Sequence, residues 1–174
     1  MTYTLFADGA ITENPGGTGS WAWLLKTPDS DTWLARGFGC LPPTPALSNN
    51  ACEYEAACQA LRWCLAHDLA SARVEVRCDA RLIVNQVSGT YQCRSASLRR
   101  LRDRVRAMLA CFAEAPPLVW IPRQENEEAD RLCRLALKKQ RRRSAPYRFS
   151  EWRPERMDPS AMAARRERTR TVQP

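Results

Sequence analysis

Four acidic residues, Asp8, Glu53, Asp79 and Asp130, stand where the chain could bring them together. Asp8 closes the apolar, β-prone run Leu5-Phe6-Ala7, and turn signals follow in Asn14-Pro15-Gly16-Gly17. Asp79 closes a second such run, Val74-Glu75-Val76-Arg77-Cys78. Glu53 extends backwards by four the apolar stripe of Ala57, Ala60, Leu61, Cys64 and Leu65, on a helix opened by Ser48-Asn49-Asn50. Asp130 lies one turn into a last helix. A carboxylate at the edge of a core is costly unless it is solvated, paired or bound to a cation. Each acid also has a plainer reading, Glu53 as a favourable charge in a first helical turn and Asp79 as the N-cap of the next helix. Two strands that both end in Asp, with no basic partner apparent in the sequence, favour convergence on a cation, and all-oxygen ligands select Mg²⁺ or Mn²⁺ over zinc.

The elements that must position these acids read strand, strand, strand, helix, strand, helix, helix, strand, helix. Residues 20–25 and 32–38 are the second and third strands, joined by the turn chemistry of Thr27-Pro28-Asp29-Ser30, so three consecutive antiparallel strands are expected. The proline-rich stretch Leu41-Pro42-Pro43-Thr44-Pro45 is a loop. Helices that cross between the later strands imply parallel additions. The class is therefore α/β, a five-stranded mixed sheet flanked by helices. Glu55, turned about 200° from Glu53 around its helix, is expected to face water. Gly89 should end the helix of residues 82–87. Leu98, Leu101, Val105, Met108, Leu109 and Phe112 mark the next helix. Its outer side takes Arg99, Arg100, Arg102, Arg104 and Arg106, which reads either as a solvated face or as a track for phosphates. Residues 118–121 are the last strand, Arg123-Gln124-Glu125 a loop, and Asn126 the N-cap of the last helix.

At 174 residues the chain accommodates one domain with some excess. It holds no apolar run near the ~20 residues of a membrane span and does not begin with a charged-then-apolar leader, which predicts a soluble, cytoplasmic protein with no membrane partner. A monomer is expected. Eight cysteines without a C-x-x-C pair read as reduced, buried thiols, neither a disulfide framework nor a zinc site. The single histidine, His67, has no partners at metal spacing and reads as structural or solvent-facing. The net charge of +8 is confined to one end: residues 1–137 carry 15 basic and 15 acidic residues, and residues 138–174 carry 12 and 4. That segment has the composition of a flexible Arg-rich tail, with Tyr147, Phe149 and Trp152 available to stack on bases or to pack back on the domain.

Taken together, Asp8-Gly9-Ala10 with Asn14-Pro15-Gly16, Ser48-Asn49-Asn50-Ala51-Cys52-Glu53, Cys78-Asp79, and Asn126-Glu127-Glu128-Ala129-Asp130 resemble ribonuclease H type 1, in order and spacing across roughly residues 3 to 137. The resemblance implies the ribonuclease H fold for a catalytic domain of residues 1–137, with residues 138–174 as its basic tail. It implies endonucleolytic hydrolysis of the RNA strand of RNA/DNA hybrids, with Asp8, Glu53, Asp79 and Asp130 holding two Mg²⁺ ions, for which Mn²⁺ can substitute. It also implies that Asn14, Asn49 and Asn50 lie near the substrate and that Ser48 helps hold a DNA-strand phosphate. Three departures stand out. Arg123-Gln124-Glu125 replaces a loop that carries a histidine in many members, which implies either slower turnover or assistance to product release from Arg123 and Glu125. Asp79-Ala80-Arg81 replaces Asp-Ser-Gln, so that Arg81 brings a cation to the substrate. The connection of residues 94–97 is too short for the basic handle of longer relatives, and the tail is expected to supply hybrid affinity instead. The rival readings are another nuclease on the same fold and a hybrid-binding protein without catalysis.

Overall fold

The structure, a computed structural model, describes residues 2–27 and 32–142 together with the backbone of Glu155–Arg156. Strand β1 (Thr2–Ile11) pairs antiparallel with β2 (Gly19–Lys26), and β2 pairs antiparallel with β3 (Trp33–Leu41). The chain crosses back through helix α1 (Asn49–Ala66) into β4 (Arg73–Cys78), which lies parallel to β1. Helices α2 (Arg81–Ser88) and α3 (Ala96–Leu109) lead to β5 (Leu118–Trp120), parallel to β4. A 3-10 turn over Arg123–Asn126, where a loop was expected, then enters α4 (Glu127–Arg142). The five strands of the expected mixed sheet thus lie in the order β5-β4-β1-β2-β3, and a two-residue sixth strand, β6 (Glu155–Arg156), adds antiparallel to β3 at Ala35 and Arg36. The turn expected at residues 27–30 falls largely outside the described residues, and the readings of Tyr147, Phe149 and Trp152 fall wholly outside them.

Strand alternation sorts the core into two layers. Leu5, Ala7, Trp21, Trp23 and Leu25 point towards α1, whereas Ala22 and Leu24 pack on Ala129, Leu132 and Cys133 of α4. Helix α1 begins with its N-cap Ser48, whose Oγ accepts from the Ala51 N–H at 3.3 Å. It lies between the sheet and α3 and is buried around most of its circumference. That position overturns the expectation for Glu55. Helical spacing does turn Glu55 away from Glu53, but α3 covers that side, and Glu55 is only 8% exposed. Its Oε1 accepts from Gln59 Nε2 at 2.5 Å and from Arg104 Nη2 at 3.3 Å.

A second arginine assigned to the outer face of α3 is also engaged. Arg106 donates from Nε to the Val87 carbonyl at 2.8 Å and from Nη2 to that of Gln86 at 3.1 Å. A cation thereby satisfies the end of α2, where Gly89 turns left-handed at φ 93°. All eight cysteines are free, seven of them buried and Cys111 exposed. Burial pushes the Cys52 thiol up to about 12, so it stays protonated. His67 stacks on Trp63 with ring centroids 4.0 Å apart, its Nδ1 2.8 Å from the Trp63 carbonyl oxygen, and is structural. Among the described residues no helix is long and apolar enough to cross a membrane.

Candidate metal centre

The parallel pairing of β1 with β4 runs in register to Phe6 opposite Arg77. Two residues further along each strand come Asp8 and Asp79, which therefore emerge side by side where the ladder ends. Glu53 reaches them because Gly9 lets α1 approach the strand. A Cβ on Gly9 would lie 2.2 Å from the Glu53 backbone nitrogen and 2.3 Å from the Cys52 carbonyl carbon, closer than any side chain permits. The Gly9 N–H then donates to Glu53 Oε2 at 3.1 Å. One carboxylate oxygen from each of Asp8, Glu53 and Asp79 lies within 4.8 Å of the others.

Burial, and next the neighbouring carboxylates, raise the proton affinity of Asp8 and Glu53. The Asp8 carboxyl is pushed up to about 7, chiefly by burial and next by Asp79. Glu53 is raised well above the usual carboxylate range by burial, then by Asp8 and Asp79. Asp8 Oδ2 is buried without a hydrogen-bond partner, an arrangement that costs free energy until something positive meets it. The donors are all carboxylate oxygens, so the group suits a hard divalent cation.

Around this group the structure corrects two readings. Asn126 does not cap α4: it is 2% exposed, and its Nδ2 donates to Asp79 Oδ1 at 2.7 Å and to the Ala7 carbonyl at 3.0 Å. Asn126 is thus the residue beside the carboxylates whose contact with them sequence reasoning missed. Its only sequence signal is a spacing of four before Asp130, which sets both on one side of the entry to α4. Asp79, for its part, does not cap α2, whose N-cap residue is Ala80 with no side-chain bond.

Asp130 departs further from expectation. It is 7% exposed and stands near Asp8, yet it is not a member of the three-carboxylate group. Nor does it lack basic partners: Arg123 Nη2 bonds Oδ1 at 2.8 Å, and Arg134, one turn further along α4, holds Oδ2. The pairing with Arg123 is not visible in sequence, because that arginine comes from the 3-10 turn, whereas Arg134 stands at the i,i+4 spacing from Asp130 that pairs side chains on one helix.

The remaining candidates lie on neighbouring turns and helix starts. Asn14 Oδ1 accepts from the Asn49 backbone N–H at 3.1 Å, and the Gly16 N–H donates to the Leu47 carbonyl at 2.9 Å. These bonds fasten the turn after β1 to the start of α1, with Asn50 following in the first helical turn. The Arg81 guanidinium lies 4.1 Å over the Trp120 ring, and the Trp120 Nε1–H donates to the Asp79 carbonyl at 3.1 Å. Glu125 is exposed on the 3-10 turn.

A family model described as reverse transcriptase-like matches residues 6–136. Over 132 residues the chain is 33% identical to ribonuclease HI of Halobacterium salinarum, covering 76% of this chain and 62% of that protein. It is 29% identical over 137 residues to the bifunctional protein Rv2228c of Mycobacterium tuberculosis, covering 79% of this chain and 36% of that one. The chain therefore spans less than two thirds of these curated relatives. Among solved structures, RNase H1 of the halophilic archaeon Halobacterium salinarum superposes with a TM-score of 0.72 at 29% identity, over 80% of this chain and 99% of that one. LC11-RNase H1, solved in complex with an RNA/DNA hybrid, gives 0.72 at 26% identity, over 79% and 98%.

Proposed function

Because the chain belongs to the reverse-transcriptase-like family, among its type 1 ribonuclease H members, we propose that it is a metal-dependent endonuclease that hydrolyses the RNA strand of RNA/DNA hybrids with two Mg²⁺ ions. The observation that carries this reading is the convergence of Asp8, Glu53 and Asp79 within 4.8 Å, on a fold whose relative LC11-RNase H1 was solved with such a hybrid. Divalent cations held there supply Lewis-acid chemistry, polarising a phosphodiester and making water nucleophilic at neutral pH. The protein's part is to fix the oxygens. The Gly9 N–H fixes Glu53 and the Asn126 amide fixes Asp79, while burial excludes the water that would otherwise screen Asp8. Asp130 joins them once its arginines give up an oxygen.

Asn14, Asn49 and Asn50, held together across the turn and the helix start, are assigned to the sugar edge that distinguishes RNA from DNA. The hydroxyl proton of Ser48, whose oxygen caps α1, is available to a phosphate of the DNA strand. Arg81, presented on Trp120, meets the RNA strand as a cation. Arg123 and Glu125 on the 3-10 turn assist release of product. Residues 1–137 form the catalytic domain and residues 138–174 add non-specific affinity for the hybrid.

The test is cleavage of an end-labelled RNA/DNA hybrid beside double-stranded RNA and double-stranded DNA, in Mg²⁺, Mn²⁺ and EDTA, with Asp8→Asn as control. Hybrid-only cleavage that is lost in EDTA and in the variant is expected. Tight hybrid binding without cleavage in either metal would replace the reading with that of a binding protein.

A further inference from the structure

Asp130 is held by two arginines that arrive from different directions. Arg123 projects from the 3-10 turn, the same turn whose Asn126 side chain touches Asp79 and the Ala7 carbonyl. Its guanidinium therefore enters from the side of the three carboxylates, and its charge lowers the proton affinity of both Asp8 and Glu53. Arg134 enters along α4, four residues on from Asp130, and its side chain is 70% exposed. A hollow of about 500 Å³ whose wall includes Asp130, Arg123 and Arg134 opens beside them, giving the equally exposed Arg123 space to withdraw. The two oxygens of one carboxylate thus face two different fates.

Resting on the reading of this site as a divalent-metal centre, we propose that Arg134 is a positioning residue: it anchors Asp130 Oδ2 from the solvent side so that Oδ1 is aimed at Asp8, Glu53 and Asp79. Arg123 is the complementary stand-in, a cation on Oδ1 that an incoming metal ion displaces. The two arginines act on metal binding with opposite signs. Loss of Arg134 frees the carboxylate to rotate and weakens binding, as loss of a group that orients a ligand does. Removing Arg123 takes away a competing positive charge and strengthens it.

Calorimetric titration of Mg²⁺ and Mn²⁺ into the full chain, without nucleic acid, separates these outcomes. Arg134→Ala is expected to weaken the apparent metal affinity by about tenfold. Arg134→Lys, which retains a donor and the charge, restores most of the loss, and Arg123→Gln tightens binding roughly threefold. Melting in EDTA serves as the control, because a purely structural role for the exposed Arg134 would shift the melt and leave metal affinity alone. With hybrid as substrate, Arg134→Ala lowers kcat at saturating metal and leaves KM unchanged. Metal binding by the wild type that Arg134→Ala leaves intact, or a shift of both variants in the same direction, overturns the inference while the proposed function stands. A wild type that takes up neither ion overturns both.

Discussion

Asp8 sets folding against chemistry, because its carboxyl is pushed up to about 7 from an ordinary 3.8. A carboxylate whose folded-state pKa lies above its unfolded one binds protons more tightly when folded, so without metal its contribution to stability is present at low pH and is lost as pH rises from about 4 to about 7. Asn at this position has nothing to ionise. In EDTA, Asp8→Asn is therefore expected to gain on the wild type by roughly 2–4 kcal/mol between pH 4.5 and pH 8. Urea unfolding at the two pH values measures this, and added Mg²⁺ should restore the wild type alone. Parallel pH profiles for the two proteins would show that the raised proton affinity is not a cost of the fold. At this scale the sequence was informative where an acid ends a strand or continues an apolar stripe, as Asp8, Asp79 and Glu53 do. It pointed Asn126 and Arg123 to other roles, because their partners lie 7 to 119 residues away and depend on how the turn before α4 seats against β1, whereas Arg134 stands only four residues from Asp130 on one helix.

The placement of Glu53 belongs to the scale of elements, since it depends on one helix touching one strand. Gly9→Ala would drive a Cβ into the backbone of Cys52 and Glu53, atoms that cannot swing aside. A loss of about 3 kcal/mol in EDTA is expected, together with loss of metal binding. A cost below about 0.5 kcal/mol would mean that α1 can retreat freely and that the contact does not set the site. The same helix shows where periodicity misleads. A 3.6-residue pattern tells which residues share a side, not whether another element lies over the opposite side; α3 does, and so Glu55 is buried against Arg104. Arg104 is 36% exposed, which screens the pair, so Arg104→Ala should cost only about 1 kcal/mol. Adding Glu55→Leu should recover that loss, because the uncompensated buried charge goes with it. Chemical denaturation of the single and double variants checks this, and a double variant less stable than Arg104→Ala would show that Glu55 is held chiefly by Gln59.

At the scale of the whole molecule, the mixed character of the sheet followed from the alternation of strands and helices, since a helix between two strands implies a parallel return, but the seat of β4 beside β1 did not. The strand β6 had no such signal, being two residues set in an Arg-rich, Pro-punctuated stretch. Its pairing with β3 places Glu155–Arg156 at the edge of the sheet opposite β5. The segment also carries charge that the rest of the chain lacks: residues 143–174 hold eight arginines and four acids, a net of +4 beyond the end of α4. Charge of this kind binds phosphates by releasing counterions, without regard to sequence. Truncation after Arg142 should therefore weaken hybrid binding about tenfold at low salt and make the dependence of log affinity on log salt shallower by roughly 2 to 4 units. Cleavage at saturating hybrid should persist, because Asp8, Glu53, Asp79, Asn126 and Asp130 all precede the cut. Binding isotherms for full-length and truncated protein across a salt series measure the slope directly. An unchanged slope would assign hybrid affinity to the domain itself, making the exposed arginines of α3 the next residues to replace. A lost kcat at an unchanged slope would instead point to β6 as a brace on β3, with the segment acting through the fold and not through its charge.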